Sequence, residues 1–525
     1  MLSTIVDGEN PSTFRVLLPR QERLTFNMAT SRAIHISPPW AFLTQADLLH
    51  ADDRESAART LSLEIAIREA IQANLDLQAT DRFVAAGQET VKEARSFLLP
   101  QVDALGDARI IDEGRAEAGG GSLPEQQLAG ALVLNQLLYD EPTWANFSIQ
   151  QDIQVGREAT RTITALDVMF EAAVSYLNVL AAQTAERIQR QNLDLTRANL
   201  ELARVRSDVG EARMAEVVRW ENQIANDRRR VIDAFAQTRQ TEIALNRVLH
   251  SPLEAPFRTE EPALDDPQLL SSFARTFPYV DNPRFFEIFR DYMVQEGLET
   301  APELRLSAAQ IRAQERQLTA DRRAFWLPSF ALRANVATFD RRGTGSDPST
   351  IDLGGGQTIT LSQDNDWSWE VGASASLPLF TGFGRVAREN RSREALAQLR
   401  LEREATAERI AARIRTSLYQ SGASFANIDL AREAARAADR NYDLVLDGYR
   451  EGVASILDVL DAQTESLNAN LDAANSVYLY LIDLMNVQRS VGQFDFFVSE
   501  AGRREWFSKL DAFFRERGAE IPQKQ

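Results

Sequence analysis

The sequence predicts a mainly α-helical fold with a smaller membrane β component, in which four strands and long antiparallel coiled helices form an internal two-fold repeat. Two observations carry this. Landmarks recur in the same order: Phe97-Leu98-Leu99-Pro100 is answered by Phe325-Trp326-Leu327-Pro328, Leu138-Tyr139-Asp140-Glu141 by Leu379-Phe380-Thr381-Gly382, and Val209-Gly210-Glu211-Ala212 by Glu451-Gly452-Val453-Ala454. Ordered recurrence at a nearly constant offset marks one supersecondary unit used twice. The hydrophobic period also switches at these landmarks, between the three- and four-residue spacing of a helix and the two-residue spacing of a strand. The unit is helix, strand, strand, long helix, turn, helix. It is expected over residues 60–250 and again over 301–494, with an N-terminal extension at 1–59, an inter-repeat linker at 251–300 and a tail at 495–525.

Each element has its own signal. From Thr60 to Ser96 apolar residues including Leu63, Ile67, Ile71, Leu75 and Phe83 keep helical spacing, and Pro100 ends the run because it lacks the N–H a helix needs. From Gln101, Val102, Ala104, Gly106, Ala108 and Ile110 alternate with a face carrying Asp103, Asp107 and Arg109; a loop is expected from Ile111 to Gln127 and a less regular strand from about Leu128 to Tyr139. In the second copy Phe330, Leu332, Ala334, Val336 and Thr338 alternate, then Trp367, Trp369, Val371, Ala373, Ala375 and Leu377, with a polar loop expected across 340–365. Strands of about ten residues with one apolar face suit an outer-membrane barrel, and Trp367 and Trp369 then fall at a membrane interface, where an amphipathic ring meets headgroups. A soluble antiparallel sheet with one face on a core alternates equally well.

The helices favour the barrel. Thr143 to Arg206 and Arg385 to Leu446 hold no internal proline, and at 1.5 Å per residue each measures roughly 90 Å, far longer than a compact domain needs. Val168, Ala172, Tyr176, Val179 and Ala182, and likewise Ile410, Ile414 and Leu418, keep heptad-like spacing. Each rod turns at a glycine, Gly210 or Gly452, and returns as a shorter helix, Glu216 to Leu249 or Ile456 to Val491. Four strands cannot close a barrel, and an open edge in lipid leaves backbone groups unpaired at several kcal/mol each, so strands in a membrane require an oligomer.

Composition excludes other classes. With 58 basic against 76 acidic residues the formal charge is −18, which argues against nucleic acid as a partner. The absence of cysteine removes disulfides, thiol catalysis and thiolate metal sites, and only His35, His50 and His250 could offer imidazole. No enzyme, cofactor or metal is expected, since no Gly-rich phosphate loop or ligand cluster is present. No run of about 18 apolar residues predicts a membrane-crossing helix. Met1 to His50 shows no export signal, and the run from Arg20 to Pro39, continuing through Leu43 to Asp47, resembles the last helix and tail of ABC-type periplasmic substrate-binding proteins. The expectation is a remnant of a longer exported fusion; an idiosyncratic leader is the alternative.

Gly448-Tyr449-Arg450-Glu451-Gly452, followed by Asp458-Val459-Leu460-Asp461-Ala462, resembles a signature of the TolC-like outer-membrane efflux proteins. Glu93 to Pro100, Ala173 to Leu180 and Pro378 to Gly382 support the resemblance, which spans Leu61 to about Phe494. It implies a TolC-like trimeric α/β-barrel: a homotrimer with twelve strands in the outer membrane and helices extending into the periplasm. It also implies a periplasmic adaptor (membrane fusion) protein and an inner-membrane RND or ABC transporter as partners, in drug efflux or type I secretion. Position by position, Tyr449 matches a gate tyrosine, Glu216 a gate aspartate, and Asp458 and Asp461 acidic rings at a constriction, whose carboxylates should repel and raise one another's pKa. Ala454 stands where a gate arginine is usual, so Arg213 or Arg450 is the expected substitute. The competing readings are that Glu216 and Asp458 serve helix N-termini, that Tyr449 simply packs, and that the whole chain is a soluble periplasmic coiled-coil scaffold or adaptor-like protein.

Overall fold

The computed structural model describes residues 25–34, 36, 38–39, 46–49, 59–118, 123–261, 279–280, 282–346, 349–352, 357–361, 365–494 and 497–519. Most of the expected N-terminal extension, 262–278 of the expected linker and 520–525 of the tail lie outside the described residues. Along the chain, β1 (Thr25–Asn27), α1 (Met28–Ala33) and β2 (Asp47–Leu49) precede β3 (Arg59–Leu61), α2 (Leu63–Ala73) and α3 (Leu75–Ser96). Strands β4 (Gln101–Ile110) and β5 (Gln126–Tyr139) flank α4 (Glu113–Ala118), and α5 (Glu141–Asp208) and α6 (Met214–Val248) follow. Then come β6 (Phe257–Thr259), α7 (Pro283–Thr300), α8 (Pro302–Arg323), β7 (Ser329–Arg342), β8 (Ser349–Asp352), β9 (Thr358–Leu361) and β10 (Trp367–Ser376). The chain closes with α9 (Gly384–Arg450), α10 (Ile456–Val491) and α11 (Glu500–Glu516).

Several expectations need correction. The helix expected from Thr60 to Ser96 is two helices, because Asn74 is extended (φ −61°, ψ 129°) and its side chain accepts the Asp76 and Leu77 N–H groups, restarting the helix as an N-cap. The loop after Ile111 contains α4, whose Arg115 N–H bonds the Asp112 carboxylate. The polar loop after Asp340 contains β8 and β9, paired antiparallel; two β-branched tetrapeptides were hidden by their Gly- and Asp-rich surroundings. The linker carries α7, opened by an Asn282 cap and Pro283, and the tail carries α11. One helix, α5, does hold an 18-residue stretch apolar enough by length and composition to cross a membrane, at mean hydropathy 1.4, but half of it is buried in the protein. Its apolar character is that of a packed face, where Val168, Ala172, Tyr176 and Val179 are buried.

The chain divides into two compact units. One comprises residues 1–73, 169–275 and 419–486. In it β3 and β6 pair in parallel, and the fully buried Tyr176 hydroxyl lies 2.8 Å from the Leu61 carbonyl and accepts the Glu260 N–H at 3.1 Å, tying both strands to α5. The C-terminal parts of α5 and α9 pack there with α6 and α10 around Trp220, Ile224, Leu446, Tyr449 and Val459.

The other unit comprises 74–168, 276–418 and 487–525 and contains an antiparallel sheet in the order β10-β7-β5-β4. Its register places Trp369, Val336, Leu132 and Ala104 in one row and Val371, Ala334, Leu134 and Val102 in the next row on that face. The intervening row holds Glu370, Asn335, Val133 and Asp103. Alternation is therefore a property of the whole sheet: one face carries the apolar rows, the other mixes polar residues with Leu105, Ala131, Val133 and Ala337, and a slip of one residue would exchange the two. The apolar face is not buried, since β4 and β10 are exposed along their whole length.

In the same unit, α7 and α11 share an aromatic core in which Tyr279 meets Phe514 edge-on at 5.1 Å and Tyr292 meets Trp506 at 5.5 Å. Gly297 lets α7 approach Ile414 closely: a Cβ there would stand 2.3 Å from Ile414 Cδ1 and make that side chain shift. Arg489 fastens this region: it donates to Asp167 at 2.7 Å and to Glu303 at 3.4 Å, while Arg413 reaches Glu303 at 3.2 Å. Burial pushes the Glu303 carboxyl up, but its own backbone N–H and the Arg489 and Arg413 charges outweigh burial and hold it below the ordinary value. A depressed carboxyl contributes stability that is complete above its ordinary pKa and is lost as pH falls through the folded value. Arg489→Ala, which leaves Glu303 with Arg413 alone, is expected to cost about 1.5 kcal/mol, and Glu303→Gln to flatten the loss of thermal stability below about pH 4.5; melting of the purified protein against pH measures both.

Candidate functional site

The same turn is built twice. Gly210 (φ 83°) and Gly452 (φ 81°) take the left-handed conformation that a side chain disfavours. Glu211 and Ala212 both donate to the Arg206 carbonyl at 2.8 and 3.1 Å, and Val453 and Ala454 both donate to the Gly448 carbonyl at the same two distances. These bonds satisfy helix-end carbonyls that would otherwise be left without partners. Three residues after each new helix begins to form, an acid folds back. The Arg213 N–H lies 3.5 Å from Glu216 Oε1, and the Ser455 N–H and hydroxyl each donate to Asp458 Oδ2 at 2.8 Å. Asp458 and Ser455 thus form a reciprocal capping box, completed by the Asp458 N–H to Ser455 Oγ at 3.4 Å.

That arrangement changes the chemistry expected of Asp458. A ring of acids at a neck predicts mutual repulsion and a raised pKa; within the protomer the two bonds from Ser455 instead hold the carboxyl below its ordinary value. Asp461, one turn further along α10, is exposed and lines a shallow groove with Ala431, Ala434, Thr464 and Glu465.

The structure brings Tyr449 and Glu216 together. Tyr449 is 2% exposed, and its hydroxyl donates to Glu216 Oε2 at 2.8 Å, joining the end of α9 to the start of α6. Burial, reinforced by the neighbouring Glu216 carboxylate, pushes the phenol up to about 12, so at neutral pH it is a committed donor. The Arg206 guanidinium lies 4.6 Å from the centre of the Tyr449 ring and also donates to the Tyr449 carbonyl. Such a cation over a ring, largely out of water, contributes about 1–2 kcal/mol.

Among the described residues of one chain, neither expected arginine substitute forms an ion pair with Glu216. Arg450 pairs with Asp447 on its own helix at 2.9 Å, and Arg213 makes no ion pair among the described residues. The cation beside the tyrosine is Arg206, which the sequence does not single out: there it is one more cation in the last turn of a helix, where the helix dipole alone explains it. Ala454 supplies its N–H to the turn and packs against the apolar core there.

The sheet adds a second surface. Trp367 and Trp369 are 57% and 65% exposed at one end of its apolar face. At the opposite end of the strands Phe97, Trp326, Phe380 and Phe383 are also exposed beside Leu379, a second aromatic rim of which all but Phe383 lie in the landmarks of the repeat. Arg385, buried, anchors this rim by donating to the Ala324 carbonyl at 2.8 Å and to that of Pro378, with its guanidinium 5.4 Å from the Phe325 ring centre. Strands of ten residues at about 3.3 Å per residue, tilted, separate the rims by roughly the 25 Å of a barrel's apolar band.

An exposed apolar sheet with two aromatic rims, joined in one chain to coiled helical hairpins, defines an outer-membrane channel component. The model of the outer membrane efflux protein family matches residues 66–250 and 293–493, and the chain belongs to that family. It is 26% identical over 427 residues to the outer membrane protein TolC of Escherichia coli K12, covering 79% of this chain and 78% of that protein. It is 23% identical over 414 residues to the outer membrane efflux protein BepC of Brucella suis, covering 78% and 80%. The solved structure of the outer membrane protein VceC from Vibrio cholerae shares the fold at a TM-score of 0.64 and 15% identity, over 82% of this chain and 96% of that one. The protein is accordingly an outer-membrane efflux protein.

The tip turns are testable directly. At Gly452 the space for a methyl is free, with Arg206 Nη2 the nearest atom at 3.9 Å, so Gly452→Ala carries only the left-handed backbone cost of about 1–2 kcal/mol. Amide exchange at Val453 and Ala454 should accelerate roughly 5- to 30-fold, with that of α7 unchanged.

Proposed function

We propose that the protein is the passive exit duct of a tripartite efflux or type I secretion system, a homotrimer closed at its periplasmic tips and opened by an adaptor protein that links it to an inner-membrane RND or ABC transporter. The sheet carries this reading. Its apolar rows continue across all four strands, and among the described residues the outer edges of β4 and β10 have no partner strand. In lipid such edges must pair, and three copies supply twelve strands, an even number within the range of known barrels. Exposed Val205, Val209, Met214 and Val218 beside the first tip supply apolar surface for neighbouring copies to cover. A soluble scaffold would leave all of this in water.

At the tips, Tyr449 and Glu216 hold the two hairpins of each protomer in the closed arrangement, and Arg206 reinforces the tyrosine. Asp458 and Asp461, repeated by three-fold symmetry, present carboxylates at the neck that favour cations. Transport through such a duct requires no catalytic group or cofactor.

Conductance of the purified protein in planar bilayers tests each part. Tyr449→Phe or Glu216→Ala removes a charge-assisted hydrogen bond of about 1.5 kcal/mol and should raise resting conductance roughly tenfold. Asp458→Ala combined with Asp461→Ala should weaken block by divalent cations while leaving resting conductance lower than in the Tyr449 variant. A protein that forms no pores at all would refute the duct.

A further inference from the structure

Away from the tips, within the same unit, four helices meet at a layer of polar side chains that no tip contact explains. Asp227 and Thr196 are fully buried, and Asn192, Asn199, Tyr442 and Gln463 nearly so. Thr196 Oγ1 lies 2.7 Å from Asp227 Oδ2 and 3.0 Å from the Asn192 carbonyl, and it accepts the Gln463 amide at 2.7 Å. The same amide nitrogen donates to Asn192 Oδ1 at 2.9 Å. Asn199 Nδ2 donates to the Tyr442 hydroxyl at 2.9 Å and to Gln463 Oε1 at 3.3 Å. Gln223 donates to Asp227 Oδ1 at 3.0 Å, and Arg230 stands 3.6 Å from that oxygen. The layer therefore takes side chains from α5, α6, α9 and α10, and Gln463 uses both amide hydrogens and its carbonyl oxygen there.

Its position is regular. Asn199 precedes Arg206 by seven residues, Tyr442 precedes Tyr449 by seven, Asp227 follows Trp220 by seven and Gln463 follows Ile456 by seven. The polar layer thus lies one heptad, about 10 Å, from the layer that holds the Tyr449 ring, with Ala203, Ile224, Leu446 and Val459 in the apolar core they share. Apolar layers of a coiled coil tolerate sliding and rotation, whereas a buried polar layer is satisfied in one register and leaves desolvated groups unpaired in any other. A fully buried carboxylate in a helix core costs stability that an apolar residue would not, which suits a role in specificity.

We propose that this layer, centred on the Thr196 hydroxyl and Gln463, is a register lock that positions α9 against α5 and α6 so that Tyr449 meets Glu216 when the tips are closed. Thr196 and Gln463 are positioning residues: they touch neither latch partner and act through the helices that carry them. The inference rests on the gate reading of Tyr449 and Glu216.

The test uses the full-length protein in planar bilayers, with Thr196→Val, Gln463→Met, Tyr449→Phe and the Thr196→Val/Tyr449→Phe double variant. Thr196→Ser keeps the hydroxyl, and Thr238→Val serves as a control, since Thr238 is buried but its hydroxyl bonds Ala234 of its own helix. Thr196→Val and Gln463→Met should each raise resting conductance on the order of tenfold, the double variant should leak no more than Tyr449→Phe alone, and Thr196→Ser and Thr238→Val should behave as the parent. If Tyr449→Phe leaks while Thr196→Val and Gln463→Met do not, the layer is packing only and the lock is overturned with the gate intact. Multiplying effects in the double variant would also overturn it, by showing that the layer acts independently of the latch. If Tyr449→Phe itself does not leak, the gate reading fails and the lock with it. Should Thr196→Val fail to assemble, Gln463→Met alone and combined with Tyr449→Phe distinguishes the same outcomes.

Discussion

A sheet of four strands cannot satisfy its own edges in hydrocarbon, and most of what this chain does follows from that constraint. The register of β10, β7, β5 and β4 aligns apolar residues into continuous rows on one face and gathers most of the charged and amide side chains on the other. Such a surface is stable against lipid on one side and water on the other, provided the two outer strands find partners. The aromatic residues at both ends fit the same environment, because Trp and Phe tolerate the boundary between acyl chains and headgroups.

The helical hairpins solve a different problem. A coil packed only through alanine, leucine and valine has many registers of similar energy. In the first unit the chain combines two matching left-handed glycine turns, which end each long helix, with polar side chains buried between the helices. Tyr449 belongs to both systems: its carbonyl is held by Arg206 beside the turn, and its hydroxyl crosses to Glu216. In the second unit the equivalent fastening is ionic, through Arg489, Asp167, Glu303 and Arg413.

The near symmetry of the two halves makes their differences informative. Arg206 and Gly448 occupy equivalent places, each accepting two N–H groups from its turn, yet only Arg206 has a side chain that can reach across to Tyr449. Glu216 and Asp458 likewise occupy equivalent places. The longer acid has one oxygen near its own helix start and the other on Tyr449, while the shorter one is engaged by Ser455. One methylene separates a carboxylate that bridges two hairpins from one that caps a single helix.

Periodicity determined the long helices and the positions of the four sheet strands, and the repeated landmarks marked the two tip glycines, because helix and strand spacing and the need for positive φ are local properties. Local signals also exist for the elements that periodicity does not reveal: Asn74 before a helical run, Asn282-Pro283, and the β-branched pairs in the loop after β7. Only the tertiary structure decided that Arg206 rather than Arg213 or Arg450 faces Tyr449, and that Asp227, Thr196 and Gln463 share one buried layer. Those partners lie on different helices and can be hundreds of residues apart in sequence, so no local pattern records them. What joins them is the register of four packed helices, and that is a property of the packing alone.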